Sequence, residues 1–253
     1  MNKLMRKLTV CSPQLGISPE SNSGGEVYDR EVINKLTEKG IKFLCLLPKN
    51  RKYIKNRNLE VSYAPITHIF PPYLFNLFVY QYLVKTYKNK KFDIIRVHSP
   101  YFVGPAALLF KKSHPEIPVI ASYLHLEETS ILQPFLDKIM INKFDHIITI
   151  SRFTKKEIKK RFSTPDSKIS IAYPGVAEKF KPKEKNKTFL KRLNPSNKKV
   201  LLFLGGLKKR KNPLFLLKLI PKFANEAVLV IAGEGNLKNQ MTEYVKNNNL
   251  KDS

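Results

Sequence analysis

The sequence predicts an α/β protein with parallel sheets, organised as two domains. Short apolar segments alternate with helical patterns along the chain, which is the element order that parallel sheets require. The apolar segments are nearly continuous, as expected for strands that are covered on both faces. A lysine-rich segment with few apolar residues interrupts the alternation at 179–198, and 253 residues are enough for two ordinary domains.

The first domain is predicted to cover residues 1–178 and to be complete. Its predicted strands are 8–11, 41–47, 59–63, 92–98, 119–125, 146–151 and 169–172, and its predicted helices are 26–39, 73–87, 103–112, 131–143 and 154–161. In open parallel sheets ligands bind at the carboxyl ends of the strands, so functional side chains are expected along that edge.

The second domain is predicted to follow the connector 179–198 and to occupy 199–253. Its predicted strands are 200–204 and 227–232, and its predicted helices are 212–223 and 237–248. Two strand–helix units are too few for a free-standing domain, because a parallel sheet needs several strands and cover on both faces. We therefore expect a C-terminal domain that is only partly present.

The charge balance narrows the choice of partners. Lys and Arg number 46 against 20 for Asp and Glu, a net charge of +26 that favours nucleic acid, anionic lipid or phosphorylated substrates. No nucleic acid partner is expected, because the lysines are scattered and no nucleic-acid-binding motif is found. Cys11 and Cys45 lie in apolar runs, which predicts buried thiols, a reducing compartment and a cytoplasmic protein. The spacing of Cys and His residues predicts no metal site.

The aromatic helix 73–87 has two interpretations. No uninterrupted apolar segment is long enough to span a bilayer, and the best stretch, 69–83, contains Pro71, Pro72 and Asn76. Together with the basic charge, this helix suits peripheral contact with an anionic membrane. It suits an ordinary helix packed on the sheet equally well.

Two features of the first domain suggest chemistry. Gly24 and Gly25 lie between the first strand and the first helix, where glycine lets the backbone approach a ligand and the helix start offers free N–H groups to an anion. His125 ends a predicted strand, with Glu127 and Glu128 after it, and can accept or relay a proton. His98 ends another strand and competes with His125 for this role.

Two turns of the second domain suggest a phosphate site. Gly205 and Gly206 follow a strand and lead through Arg210 and Lys211 into a helix, so backbone donors, the helix dipole and fixed cations converge on one place. The other turn, Gly233, Glu234 and Gly235, also joins a strand to a helix and suits a nucleotide-binding fold. The first turn could also be an ordinary basic surface loop.

Five segments are distributed in order over nearly the whole chain, namely SGGEVYDREVINKL, FDHIITISRFTKKEIKKRF, YPGVAEKFKP, LLFLGGLKKRKNP and LVIAGEGN. Taken in this order, they resemble the retaining glycosyltransferases of family 4, also called group 1, which have the GT-B fold of two Rossmann-like domains. The resemblance implies transfer of a sugar from a nucleotide-diphosphate donor to a hydroxyl acceptor, with retention of configuration, in cell-envelope or other glycan synthesis. The acceptor would be a glycan or a lipid-linked glycan, and no cofactor is implied.

The resemblance also implies roles for particular residues. Gly24 and Gly25 would lie near the donor phosphates and the acceptor, His125 near the transferred sugar, and Lys211 against the donor diphosphate. The family usually has Gly-Arg at Gly205-Gly206, so Arg210 would have to replace that arginine.

The family's downstream pair of glutamates, which holds the ribose and the sugar, has no counterpart in this sequence. A degenerate, non-catalytic protein that binds a nucleotide or an anionic polymer is therefore an alternative, and so is a sugar epimerase of the same fold.

Overall fold

The computed structural model describes residues 8–21, 23–67, 71–126, 132–177, 180–194 and 197–250. The chain divides into two compact units, Met1–Val176 and Ala177–Ser253. Each unit is described by itself below.

The first unit is built on a parallel sheet of seven strands. They are β1 (Thr9–Cys11), β2 (Lys42–Pro48), β3 (Leu59–Ala64), β4 (Ile94–Val97), β5 (Val119–Tyr123), β6 (His146–Thr149) and β7 (Ile169–Ile171). Their order is β3-β2-β1-β4-β5-β6-β7, and every pair is parallel. The predicted α/β fold is thus confirmed. The order reverses at β1, which lies between β2 and β4, and such a switch point is where open α/β sheets bind ligands.

Five helices cover this sheet. They are α1 (Gly24–Glu38), α2 (Phe75–Lys90), α3 (Pro100–Ser113), α4 (Leu132–Met140) and α5 (Arg152–Phe162), with short 3-10 turns at Pro72–Leu74, Ile141–Lys143 and Asp166–Lys168. Helices α2, α3 and α4 lie side by side, because α3 packs against both of the others.

Strand β2 shows how both faces of the sheet are covered. Its side chains alternate between two hydrophobic cores, so that Leu44 and Leu46 pack in the core that includes α2, whereas Cys45 packs in the core that includes Ile33 of α1. This period of two, with both faces buried, explains why the strand is apolar from Phe43 onwards.

The described residues of the second unit form two parallel strands and three helices. They are α6 (Lys187–Leu193), β8 (Lys199–Leu204), α7 (Pro213–Leu219), β9 (Ala227–Ala232) and α8 (Lys238–Asn247), with 3-10 turns at Lys209–Lys211 and Ile220–Lys222. Its small core is centred on Leu207, Leu217 and Met241. Several apolar side chains of β8 stay exposed, Leu204 by 78%.

Three predicted boundaries need correction. Helix α1 begins at Gly24 rather than Glu26, so the two glycines belong to its first turn. Helix α6 lies within the predicted connector, where the Asn186 side chain caps it by accepting a hydrogen bond from the Phe189 N–H at 2.9 Å. The helix predicted at 212–223 ends at Leu219 and continues as a 3-10 turn, because Pro221 cannot continue the α-helical hydrogen bonds.

Candidate functional site

The carboxyl edge of the first sheet carries a cavity beside the switch point. His98 follows β4 and His125 lies two residues beyond β5. Both line a cavity of about 290 Å³, together with Tyr101, Tyr123 and Gln133. The structure therefore brings the two predicted histidines to one place.

The glycine turn of α1 adjoins this edge. Gly24 and Gly25 form the first turn of the helix, where the opening N–H groups have no partner within the helix. A side chain at Gly24 would meet open space, whereas a Cβ at Gly25 would lie 3.5 Å from Cδ1 of Leu124, the residue before His125. The turn and His125 are thus neighbours at the same edge.

Glu26 organises the loop before α1, a role that was not predicted from the sequence. Its carboxylate accepts hydrogen bonds from the Ser18 N–H at 2.7 Å and from the Ser21 hydroxyl at 2.8 Å. It also packs so closely on Gly16 that a Cβ there would overlap it. The pattern Ser23-x-x-Glu26 resembles a capping box and could have indicated a structural role for Glu26. In the structure Glu26 binds Ser18 and Ser21, which lie further upstream than Ser23.

A buried charged cluster lies beneath the glycine turn. Asp29 of α1 is fully buried, and its Oδ1 lies 2.5 Å from a guanidinium nitrogen of Arg96 and 3.1 Å from Nδ1 of His98. These are ion-pair distances without the alignment of a directed hydrogen bond, and Oδ2 of Asp29 accepts none in the described part of the chain. Arg96 is the cation that compensates this carboxylate, because His98 is held neutral.

The protonation of His98 follows from its surroundings. Burial lowers the pKa of His98 below its usual value, the Asp29 carboxylate opposes this, Arg96 adds to the decrease, and a backbone hydrogen bond with Gly25 opposes it. The net decrease leaves the imidazole neutral near pH 7. The ring of Tyr28 stacks on it, with centroids 6.2 Å apart.

A second buried carboxylate supports the floor of the cavity. Asp137 of α4 accepts hydrogen bonds from the hydroxyls of Tyr101 at 3.0 Å and Tyr123 at 2.9 Å. Burial raises the pKa of Asp137, and these two hydrogen bonds lower it in part. The arrangement ties α3, β5 and α4 together around the cavity. The sequence offered no signal for it, because the three residues lie far apart in the chain.

The two glycine turns of the second unit are bound to each other. The Gly205 N–H donates to the Ala232 carbonyl at 3.0 Å, and the Leu207 N–H donates to the Glu234 carbonyl at 2.9 Å, which extends the pairing of β8 and β9. A Cβ on Gly233 would overlap the Gly205 carbonyl oxygen, and one on Gly235 would overlap the Leu207 carbonyl oxygen. Glycine is therefore required at both positions by the close approach of the two turns.

The predicted cations lie directly after this pair of turns. Arg210 and Lys211 belong to the 3-10 turn Lys209–Lys211 and are exposed. The predicted contribution of the following helix start is weaker than expected, because α7 begins at Pro213, which has no N–H. Glu234 forms an ion pair with Lys238 at 2.9 Å, so its carboxylate is partly neutralised.

The predictions on Glu127 and Glu128 fall outside the described residues. Across the ranges that the structure describes, no group of three His, Cys, Asp or Glu side chains could hold a metal ion. Within the same ranges, no helix is long and apolar enough to cross a bilayer.

The fold is that of the GT-B glycosyltransferases, and two family models match the chain. Residues 22–180 match the model of Glycosyltransferase Family 4, and residues 184–253 match that of Glycosyl transferases group 1. The chain belongs to Glycosyltransferase Family 4.

Individual relatives agree with this membership. The putative glycosyltransferase YtcC of Bacillus subtilis is 29% identical over 176 residues, which cover 63% of this chain and 42% of that protein. The N-acetylgalactosamine-N,N'-diacetylbacillosaminyl-diphospho-undecaprenol 4-alpha-N-acetylgalactosaminyltransferase of Campylobacter jejuni is 28% identical over 131 residues, 51% of this chain and 34% of that protein. The chain thus spans less than half the length of both relatives.

A solved structure shows the same fold. The crystal structure of Anabaena Alr3699/HepE in complex with UDP and glucose superposes with a TM-score of 0.71 at 12% sequence identity. The superposition covers 97% of this chain and 67% of that chain.

Proposed function

We propose that this chain belongs to an enzyme that transfers a sugar from a nucleotide-diphosphate donor to a hydroxyl acceptor with retention of configuration. The proposed process is cell-envelope or other glycan synthesis. The proposal rests on two glycine turns that are hydrogen-bonded to each other and are followed directly by Arg210 and Lys211. Backbone donors and two fixed cations at one place suit a diphosphate. The complex of the Anabaena protein with UDP and glucose supports a donor of the UDP type.

The proposed reaction breaks the bond between the sugar C1 and the donor phosphate oxygen and forms a bond from C1 to the acceptor oxygen. Negative charge develops on the departing diphosphate, so cations and backbone N–H groups accelerate the step by stabilising it. Lys211 and Arg210 supply the cations, and the turn of Gly205 and Gly206 supplies backbone N–H groups other than that of Gly205, which donates to Ala232. Gly24 leaves open space before the first turn of α1, which suits a phosphate or the acceptor. His125 is proposed to contact the sugar or the acceptor hydroxyl.

Replacing Lys211 with alanine is expected to weaken UDP binding by about 10- to 100-fold, because a hydrogen bond to a charged group contributes about 1.5–3 kcal/mol. The dissociation constant of UDP is measured by calorimetry on the full chain. Lys218→Ala is the matched control, since Lys218 is an exposed lysine at the other end of α7. Equal losses in both variants, or none in Lys211→Ala, would contradict the assignment.

Incubation of the full chain with UDP-glucose or UDP-N-acetylglucosamine separates a transferase from the two alternative functions. Release of UDP from either sugar nucleotide supports a transferase. Binding of UDP without any turnover favours the non-catalytic binding protein, and conversion of the sugar without release of UDP favours the epimerase.

We further propose a lipid-linked acceptor and a cytoplasmic protein that contacts an anionic membrane. The Campylobacter relative is named for a diphospho-undecaprenol-linked acceptor, which supports this choice. Helices α2, α3 and α4 add support from this chain. They contain one acidic residue, Asp137, and it is buried.

The outer surface of α2, α3 and α4 combines lysines with exposed apolar side chains. Leu77 is 63% exposed and Phe135 is 58% exposed. The exposed lysines of these helices include Lys85, Lys88, Lys112 and Lys138. Such a surface attracts anionic head groups and inserts apolar side chains among them. Helix α4 also supplies Gln133 to the cavity, which places this surface beside the proposed acceptor site.

The double variant Leu77→Gln/Phe135→Gln is expected to bind phosphatidylglycerol-containing vesicles at least about 10-fold more weakly, because an apolar side chain gains roughly 1.5–3 kcal/mol on full burial. Vesicle sedimentation at low and high salt measures the partition coefficient. Phe215→Gln, which alters an exposed phenylalanine of α7 in the second unit, is the control. The membrane proposal would be refuted if the unchanged chain did not bind the vesicles, or if its binding did not depend on salt.

A further inference from the structure

We propose that His98 is a positioning residue that holds the glycine turn of α1 against the carboxyl edge of the sheet. This inference rests on the proposed function, in which Gly24 and Gly25 contact the donor or the acceptor. It separates His98 from His125, with which it competed for a role in proton transfer.

The position of His98 follows from the register of β4. Arg96 and His98 are two residues apart, so both side chains point to the same face of the sheet, where α1 packs. There they meet the Asp29 carboxylate at 2.5 and 3.1 Å. The imidazole is 9% exposed and thus fixed between the strand end and the helix.

Nδ1 of His98 lies 3.1 Å from Oδ1 of the Asp29 carboxylate in α1, and only 9% of the His98 side chain is exposed. The ring is therefore occupied with α1 and unsuited to exchange a proton with a substrate.

The first turn of α1, which His98 holds through Asp29 and Tyr28, is connected to the rest of the site at Gly25. Gly25 lies beside Leu124, so displacement of the turn would alter its spacing from His125. The stacked ring of Tyr28 restricts the imidazole from the other side. His98 also lines the cavity with His125, and it thus contacts both parts that the proposed reaction needs.

Hydrogen exchange of the full chain tests this inference without any ligand. The amides that close the first turn of α1 are those of Val27, Tyr28 and Asp29; the Val27 N–H, for example, donates to the Ser23 carbonyl at 2.9 Å. In His98→Ala we expect these amides to exchange at least about 10-fold faster, whereas the amides of β2 keep their rates, since local opening is distinct from global unfolding. His98→Asn, which restores a side-chain donor, should recover part of the protection.

His114→Ala is the matched control, because His114 also stacks on an aromatic ring, that of Phe110, with centroids 4.1 Å apart. It should leave Val27 to Asp29 unchanged. The inference is overturned if His98→Ala leaves these amides unchanged, or if exchange rises equally in β2. With UDP-glucose as substrate, His98→Ala should raise KM or lower kcat, and His98→Asn should have a smaller effect on the same constant. If the unchanged chain neither binds nor turns over UDP-glucose, the proposed function fails while the exchange result still decides the role of His98.

Discussion

Replacing Arg96 with methionine is expected to lower the free energy of unfolding by about 3–5 kcal/mol, the usual cost of removing one partner from a buried ion pair. Asp29 is fully buried and would lose its compensating cation, because His98 is neutral. Denaturant titration followed by circular dichroism measures the change. Methionine fills much of the volume that the arginine stem leaves, so the loss reports charge rather than a cavity.

Two further variants sharpen this experiment. The double variant Asp29→Asn/Arg96→Met removes both charges and should regain much of the lost stability. Lys111→Met breaks the ion pair with Asp145, whose side chains are 22% and 39% exposed, and should cost at most about 1 kcal/mol. Equal losses in Arg96→Met and Lys111→Met would show that burial of Asp29 does not set the cost.

Replacing His125 with alanine is expected to lower kcat for UDP release from a sugar nucleotide by about 10²- to 10⁴-fold, the range for a positioned proton-transfer group. The melting temperature should not change, because the residue is exposed at the end of β5. Both quantities are measured on the same preparation, so a catalytic loss can be told from a folding defect.

His146→Ala provides the matched control for His125→Ala. His146 begins β6, on the opposite edge of the sheet, and is joined to the Ser170 hydroxyl at 2.7 Å. It should keep the activity of the unchanged chain within about two-fold, as surface substitutions away from a site generally do. A His125→Ala variant that is equally active would remove His125 from the proposed mechanism.

The strands were predictable because apolar residues predominate in most of them. Strand β2 faces two cores, so after Lys42 its sequence has no polar position that could be mistaken for a turn or for one face of a helix. Helix α6 was harder to predict, since lysines surround its apolar residues and Asn186, its cap, stands among other polar residues. The start of α1 was misplaced because glycine usually favours turns over helices.

The parts of the site that lie at strand ends could be predicted, and the buried charges could not. His98 and His125 both follow strands of one parallel sheet, which brings them to one edge whatever the details of packing. The pairing of Asp29 with Arg96, and of Asp137 with Tyr101 and Tyr123, depends on contacts between segments that are distant in the chain. No local pattern marks such contacts.

The two native cysteines make the chain well suited to site-selective labelling. Cys11 and Cys45 are free and fully buried, and burial raises the pKa of both thiols, so neither reacts readily in the folded protein. A cysteine introduced at Gly24, where a side chain would meet open space, would be the single reactive thiol. Because the sequence contains no tryptophan, a fluorophore attached there would report on the glycine turn without background emission from indole.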